Sequence, residues 1–189
     1  REVIPHVHAW TSLRSRALAI KALIAAETAV IGESEARRLI ADVADPLLRA
    51  AQEAAAGHGW FEPRLAYDNA RLPEALILAG ERLQEPDMLS MGIDTLDHLM
   101  KRQTSPHGCF APIATSSFDN GASHAEFDQQ PIEALATIDA CLAGWRATGA
   151  TAFREGRLGP LGAGAAVLYG HTDSLFCLLP HVSCTLDAR

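Results

Sequence analysis

At 189 residues, the chain has the length of one domain able to bury a core of its own. Its composition is globular, 48% hydrophobic and 21% charged, and a low aromatic share of 6% beside abundant Ala and Leu favours helices over a β-sandwich. The net charge of −7 argues against a nucleic-acid partner, because phosphate binding needs clustered Lys and Arg and no basic run occurs.

Residues Arg1 to His6 lack the apolar core of a signal peptide, and the first residue is not Met, which points to a trimmed chain or a fragment of a longer one. Trp10 to Val30 then reads as a first helix. Leu13, Ala17, Ile20, Leu23 and Ile24 fall at helical spacing, Thr11 or Ser12 can cap its start, and Gly32 ends it. Glu33 to Ala56 reads as a second helix, with Leu39, Ile40, Val43, Leu47 and Leu48 on one face. Pro46 inside it should kink or split it, and Gly57-His58-Gly59 stops it.

A third helix spans about Asn69 to Leu83, its buried side marked by Leu72, Leu76, Ala79 and Leu83. Pro73 is tolerable there because it falls in the first turn. A fourth runs from Pro86 to Gln103 on Leu89, Ile93, Leu96 and Met100. The short polar breaks between these helices make neighbours antiparallel. Residues 104–126 hold Pro106, Gly108, Pro112 and Gly121 and no helical stripe, so they read as one long loop or a short β-ribbon around Cys109 to Ile113. A fifth helix, Gln129 to Ala147, carries Ile132, Leu135, Ala136, Ile138, Leu142 and Trp145. The glycine-rich stretch after Gly156 shows no clear period. No apolar run approaches the roughly 20 residues of a membrane span. The four cysteines, Cys109, Cys141, Cys177 and Cys184, form no Cys-x-x-Cys pair, so free thiols and a cytoplasmic setting are expected.

The polar groups gather at helix starts. In an up-and-down array the first, third and fifth helices begin on one side. Their starts carry His6, His8 and Trp10; then Glu62, Tyr67, Asp68, Asn69 and Arg71; then Asp128, Gln129, Gln130 and Glu133. Helix N-termini add unpaired N–H groups and partial positive charge, which suits oxygen-rich ligands. Carboxylates and amides match sugar hydroxyls, and aromatic faces match sugar C–H faces. Each residue also has a structural reading. Asp68 and Asp128 sit where caps sit. Arg71 has Glu74 or Glu62 as surface partners, and Trp60, Phe61 and Phe127 suit core anchors. Acid–base hydrolysis would need two carboxylates about 5–10 Å apart, drawn from Glu62, Asp68, Asp128 and Glu133. His6-x-His8 lacks evident further metal ligands. Gly159 to Gly164 lacks the ending of a phosphate loop. No metal or other cofactor is therefore expected.

Trp60-Phe61-Glu62 through Tyr67-Asp68-Asn69-Ala70-Arg71-Leu72-Pro73-Glu74-Ala75-Leu76, with Phe127-Asp128-Gln129-Gln130-Pro131-Ile132-Glu133-Ala134, resembles a bacterial helical-toroid domain similar to the six-hairpin glycosidase fold. Such domains are commonly attached to, or encoded beside, family-4-type glycosyltransferases. The resemblance covers roughly Thr11 to Phe153. It implies an all-α fold of antiparallel helix hairpins, an α/α toroid or part of one, over residues 1–153. It also implies a polar site at one end of the inner helices. In that site Glu62, Asp68, Asp128 and Glu133 are acid/base candidates. Trp60, Tyr67, Asn69, Arg71, Gln129 and Gln130 are the substrate-binding candidates. The implied partner is a carbohydrate or sugar conjugate, with a glycosyltransferase domain as the alternative partner of a non-catalytic scaffold. A full toroid needs more hairpins than the chain supplies, so a partial ring or a missing N-terminal half is expected. Residues 154–189 depart from the family pattern, as a divergent end or an altered reading frame would.

Overall fold

Helix α1, Leu13–Ala26, begins where Ser12 supplies a cap: its hydroxyl oxygen accepts the Ser15 N–H at 3.4 Å. Helices α2 (Glu33–Ala55), α3 (Arg71–Leu83), α4 (Pro86–Arg102) and α5 (Pro131–Thr148) follow, and then strands β1 (Ala166–His171) and β2 (Ser174–Leu178). This computed structural model describes residues 9–26, 31–57, 59–104, 110–114, 129–149, 166–171 and 174–178. The helices form one continuous core, as expected of an all-α chain. β1 and β2 pair antiparallel with an irregularity between Val167 and Tyr169. Two such short runs leave too few residues for a readable period.

The helix ends refine the sequence reading. Gly32 is the N-cap of α2, at φ 78°, and its carbonyl accepts the Ala36 N–H at 3.0 Å. It opens the second helix; the residues before Ile31 that would show it closing the first lie outside the described residues. Pro46 neither splits nor ends α2, which runs as one helix through it. The carbonyl that loses its partner belongs to Asp42, which is exposed, so water can take the place of the missing N–H. Near residue 104 the expected ribbon reduces, among the described residues, to one bridge between Thr104 and Phe110, extended by the Ala111 N–H donating to Gln103 at 2.8 Å.

Helix α3 is the axis of the molecule. It packs against each of the other four helices. Its sequence anticipates one buried side, yet every residue from Arg71 to Ile77 is buried, as are Ala79 and Gly80. Gln84 adopts the left-handed conformation, φ 62°, at its C-terminus, and the Glu85 N–H returns to the Gly80 carbonyl at 2.9 Å. This two-residue link folds α4 back along α3.

Two glycines let these helices touch backbone to backbone. A Cβ on Gly80 would lie 2.5 Å from the Leu89 nitrogen, and one on Gly92 would lie 2.8 Å from the Ile77 nitrogen. Backbone cannot yield as a flexible side chain can, so the α3–α4 spacing depends on both. Gly80→Ala and Gly92→Ala should each destabilise the fold by about 1–3 kcal/mol through overpacking, against an intrinsic helix gain of about 1 kcal/mol. Urea unfolding of each variant measures the balance.

Candidate functional site

The turn 59–70 carries the first group of candidate residues to the mouth of α3. Arg14, in the first turn of α1, organises it. One guanidinium nitrogen, Nη1, donates to both Glu62 carboxylate oxygens at 2.6 Å, and Nε donates to the Tyr67 carbonyl at 2.6 Å. Nη2 reaches Asn69 Oδ1 at 3.4 Å, and the guanidinium carbon lies 5.3 Å from the centroid of the Tyr67 ring. Asn69 closes the turn on itself, accepting the Ala66 N–H at 2.9 Å and donating to the Ala66 carbonyl at 3.0 Å. Asp68 takes the left-handed conformation, φ 52°, which a short polar side chain tolerates better than most.

Glu133, in the first turn of α5, then ties α5 to this turn. One of its carboxylate oxygens accepts the Asp68 N–H. The other accepts the Asn69 N–H at 3.4 Å, Asn69 Nδ2 at 3.0 Å and Gln103 Nε2 at 3.5 Å. Glu133 is only 1% exposed, and Gln103 and Asn69 are fully buried. Thr137 completes the cluster, its hydroxyl 2.7 Å from the Glu133 carbonyl and 2.9 Å from Gln103 Oε1. Burial pushes the Glu133 pKa up, while the N–H groups of Asn69 and Asp68 pull it back only in part. Burial likewise raises Asp68, more than the neighbouring Arg71 lowers it.

Arg71 makes a second knot below the first. Its Nε donates to Asp68 at 3.1 Å, and its Nη1 donates to Glu74 at 2.8 Å and to Asp139 of α5 at 2.7 Å. Lys21 of α1 reaches Glu74 at 2.6 Å and Asp139 at 3.9 Å. Burial pulls the Arg71 pKa down, but the Asp139 and Glu74 carboxylates outweigh it and hold the guanidinium above its ordinary value.

The starts of α1, α3 and α5 therefore meet, and hydrogen bonds join Asp68, Asn69, Arg71 and Glu133 in one network to which Arg14 links Glu62. The other candidates divide. Tyr67 is 54% exposed, and Gln129 and Gln130 face solvent at the entrance to α5. Trp60 is buried, its ring edge-to-face with Phe61 at a centroid distance of 5.2 Å, so its faces belong to the core. Asp128 lies outside the described residues, as do His6, His8 and Phe127. Asp68 does not cap α3 through its side chain; the N-cap is Ala70, and the Asp68 carboxylate takes Arg71 instead. Arg71 pairs with Glu74, as one structural reading had it, but the pair is buried rather than on the surface.

Arg14, Lys21, Gln103, Thr137 and Asp139 were not singled out in the sequence. Arg14 and Lys21 are two turns apart on one stripe of α1, a signal visible only once a facing acid is known. Nothing in the sequence marks Gln103 or Thr137. Among the described residues no group of three or more His, Cys, Asp or Glu is placed to hold a metal ion. Cys141 is buried in apolar surroundings that push its thiol up to about 12, so it is not a nucleophile at neutral pH.

Removing the Glu133 carboxylate strands several buried donors. Each costs about 1–3 kcal/mol when unsatisfied, so Glu133→Ala should destabilise by about 2–4 kcal/mol in denaturant unfolding. The pH dependence has a defined sign. The folded pKa of Glu133 is raised, so its contribution to stability is complete below the ordinary carboxylate value and is lost as pH rises through the raised one. The stability difference between wild type and Glu133→Gln should therefore shift in favour of wild type as pH falls from about 8 to about 4. Paired unfolding curves across that range check the slope.

Comparison with protein-family models, with curated proteins and with solved structures finds no match to this chain.

Proposed function

We propose that the chain is a carbohydrate-related domain, a partial α/α toroid of helix hairpins, that binds a glycan or sugar conjugate where α1, α3 and α5 begin. The observation that carries this reading is the convergence of those three helix starts on one polar network beneath an outward aromatic ring. Tyr67 is held from behind by Arg14, which leaves its outer side to solvent as a stacking surface for sugar C–H groups. The exposed Gln129 and Gln130 offer amide donors and acceptors for hydroxyls. The partly exposed Glu62 and Asp139 carboxylates add acceptors at the edge.

The state of the described acids favours binding over hydrolysis. A general acid must hand its proton to a leaving group, and a base must reach a water. Glu133 is sealed and surrounded by donors, Asp68 is committed to Arg71, and Glu62 is committed to Arg14. The same saturation favours a second reading, a non-catalytic scaffold that docks a glycosyltransferase domain through its rim.

The two readings part at Tyr67. A panel of neutral and acidic oligosaccharides and nucleotide sugars is the probe. On the sugar-binding reading at least one binds, and Tyr67→Ala weakens it about tenfold or more, ~1.4 kcal/mol, while the melting temperature is unchanged because the side chain is exposed. Absence of binding across the panel, or equal binding by Tyr67→Ala, leaves the scaffold reading in its place.

A further inference from the structure

We propose that the sugar ligand of the rim carries a protonated amine, taken up by the carboxylates of Asp68 and Asp139 on either side of Arg71. The inference rests on the sugar-binding reading above and names the class of sugar. Arg71 meets each acid through one oxygen, its Nε 3.1 Å from Asp68 Oδ1 and its Nη1 2.7 Å from Asp139 Oδ2. Lys21 approaches the same Asp139 oxygen at 3.9 Å. Among the described residues, Asp68 Oδ2 and Asp139 Oδ1 have no donor. The other acids of the network have both oxygens taken. Arg14 holds those of Glu62, Lys21 and Arg71 hold those of Glu74, and the turn at 68–69 with Gln103 holds those of Glu133. Asp68 directly follows Tyr67 in the chain, which sets the unanswered pair beside the proposed stacking ring.

The charge balance disfavours an acidic ligand and favours a basic one. Arg14, Lys21 and Arg71 face four ion-paired carboxylates, Glu62, Asp68, Glu74 and Asp139, so one negative charge is left over. Glu133 stands outside that balance, because burial favours its neutral form. The outer acids are also the more exposed partners. Side-chain exposure is 25% for Glu62 against 13% for Arg14, and 36% for Asp139 against 11% for Arg71. The partial positive charge of the helix starts is already met from within, by Glu74 in the first turn of α3 and Glu133 in that of α5. A uronate or a sugar phosphate would bring like charge to this edge. A hydroxyl donates one hydrogen bond and leaves the surplus charge standing. An ammonium offers three N–H donors and neutralises it, and such charge-assisted bonds are the stronger kind.

Isothermal titration calorimetry with three trisaccharides tests this: a glucosamine trimer, its fully N-acetylated counterpart and a uronic-acid trimer. With the amine charged, the glucosamine trimer should bind about fivefold more tightly than the acetylated one, and added salt should shrink that margin. The uronic-acid trimer should bind weakest. Asp139→Asn should narrow the margin, with circular dichroism showing that the fold is kept. Equal or tighter binding by the acetylated or the acidic trimer, still weakened by Tyr67→Ala, overturns the amine assignment and leaves the sugar-binding reading intact. Equal displacement by a simple diamine, which has the charge without a sugar face, overturns the assignment too. Absence of binding by all three and by the wider saccharide panel removes the sugar-binding reading itself, and the amine assignment with it.

Discussion

A carboxylate shut away from water must be answered by donors from the protein itself, and Glu133 is answered by the Asp68 and Asn69 backbone N–H groups and the Asn69 and Gln103 amides. The geometry of the rim follows from that requirement. Asp68 and Asn69 can present two successive N–H groups because Asp68 is left-handed. That conformation turns the chain into α3, places Arg71 under Asp68 and sends Tyr67 outward. A buried charge of this kind contributes little net stability, because desolvation offsets much of its attraction. What it adds is definition: α5 has one register against the turn in which every donor is met.

The second knot works differently. Arg71, Glu74, Asp139 and Lys21 span three helices, with the acids shared between cations. Sharing spreads the ordering cost over several contacts, and the buried Arg71 is fixed by its fork of donors. Together the two knots hold the rim by polar bonds above the apolar core. A surface built on such a base is held in one arrangement before anything binds. Among the described acids, Glu62, Asp68 and Glu133 are each engaged by protein donors.

Much of this was legible in the residues, for identifiable reasons. Helical periodicity in α2 and α4 reads directly because each has one wet side. The grouping of helix starts follows from parity, and the bonds from Arg14 to Glu62 and from Glu133 to Asn69 realise it. What stayed hidden depends on burial from several directions. Helix α3 is covered on nearly all sides, and the charged Arg71 and Glu74 in its first turn, buried with the rest, disguise its place at the centre. Trp60 looks the same in sequence whether it faces core or ligand. Gln103 and Thr137 are ordinary polar residues until a buried acid sits beside them. Pro46 was expected to kink or split α2; it does not split it, and the solvent at Asp42 is why it need not.

The bond between Asp68 and Glu133 spans 65 positions of sequence, and this separation bears on the order of assembly. Helices α3 and α4 are joined by two residues and touch through their glycines, so they can pair early with little loop entropy. The mouth of α3 has no such local remedy. Its inward-pointing amides find their acceptor only after the intervening chain has been made and α5 arrives. During synthesis the growing polypeptide must keep that end hydrated until then, so the final locking of the rim is a late, long-range event.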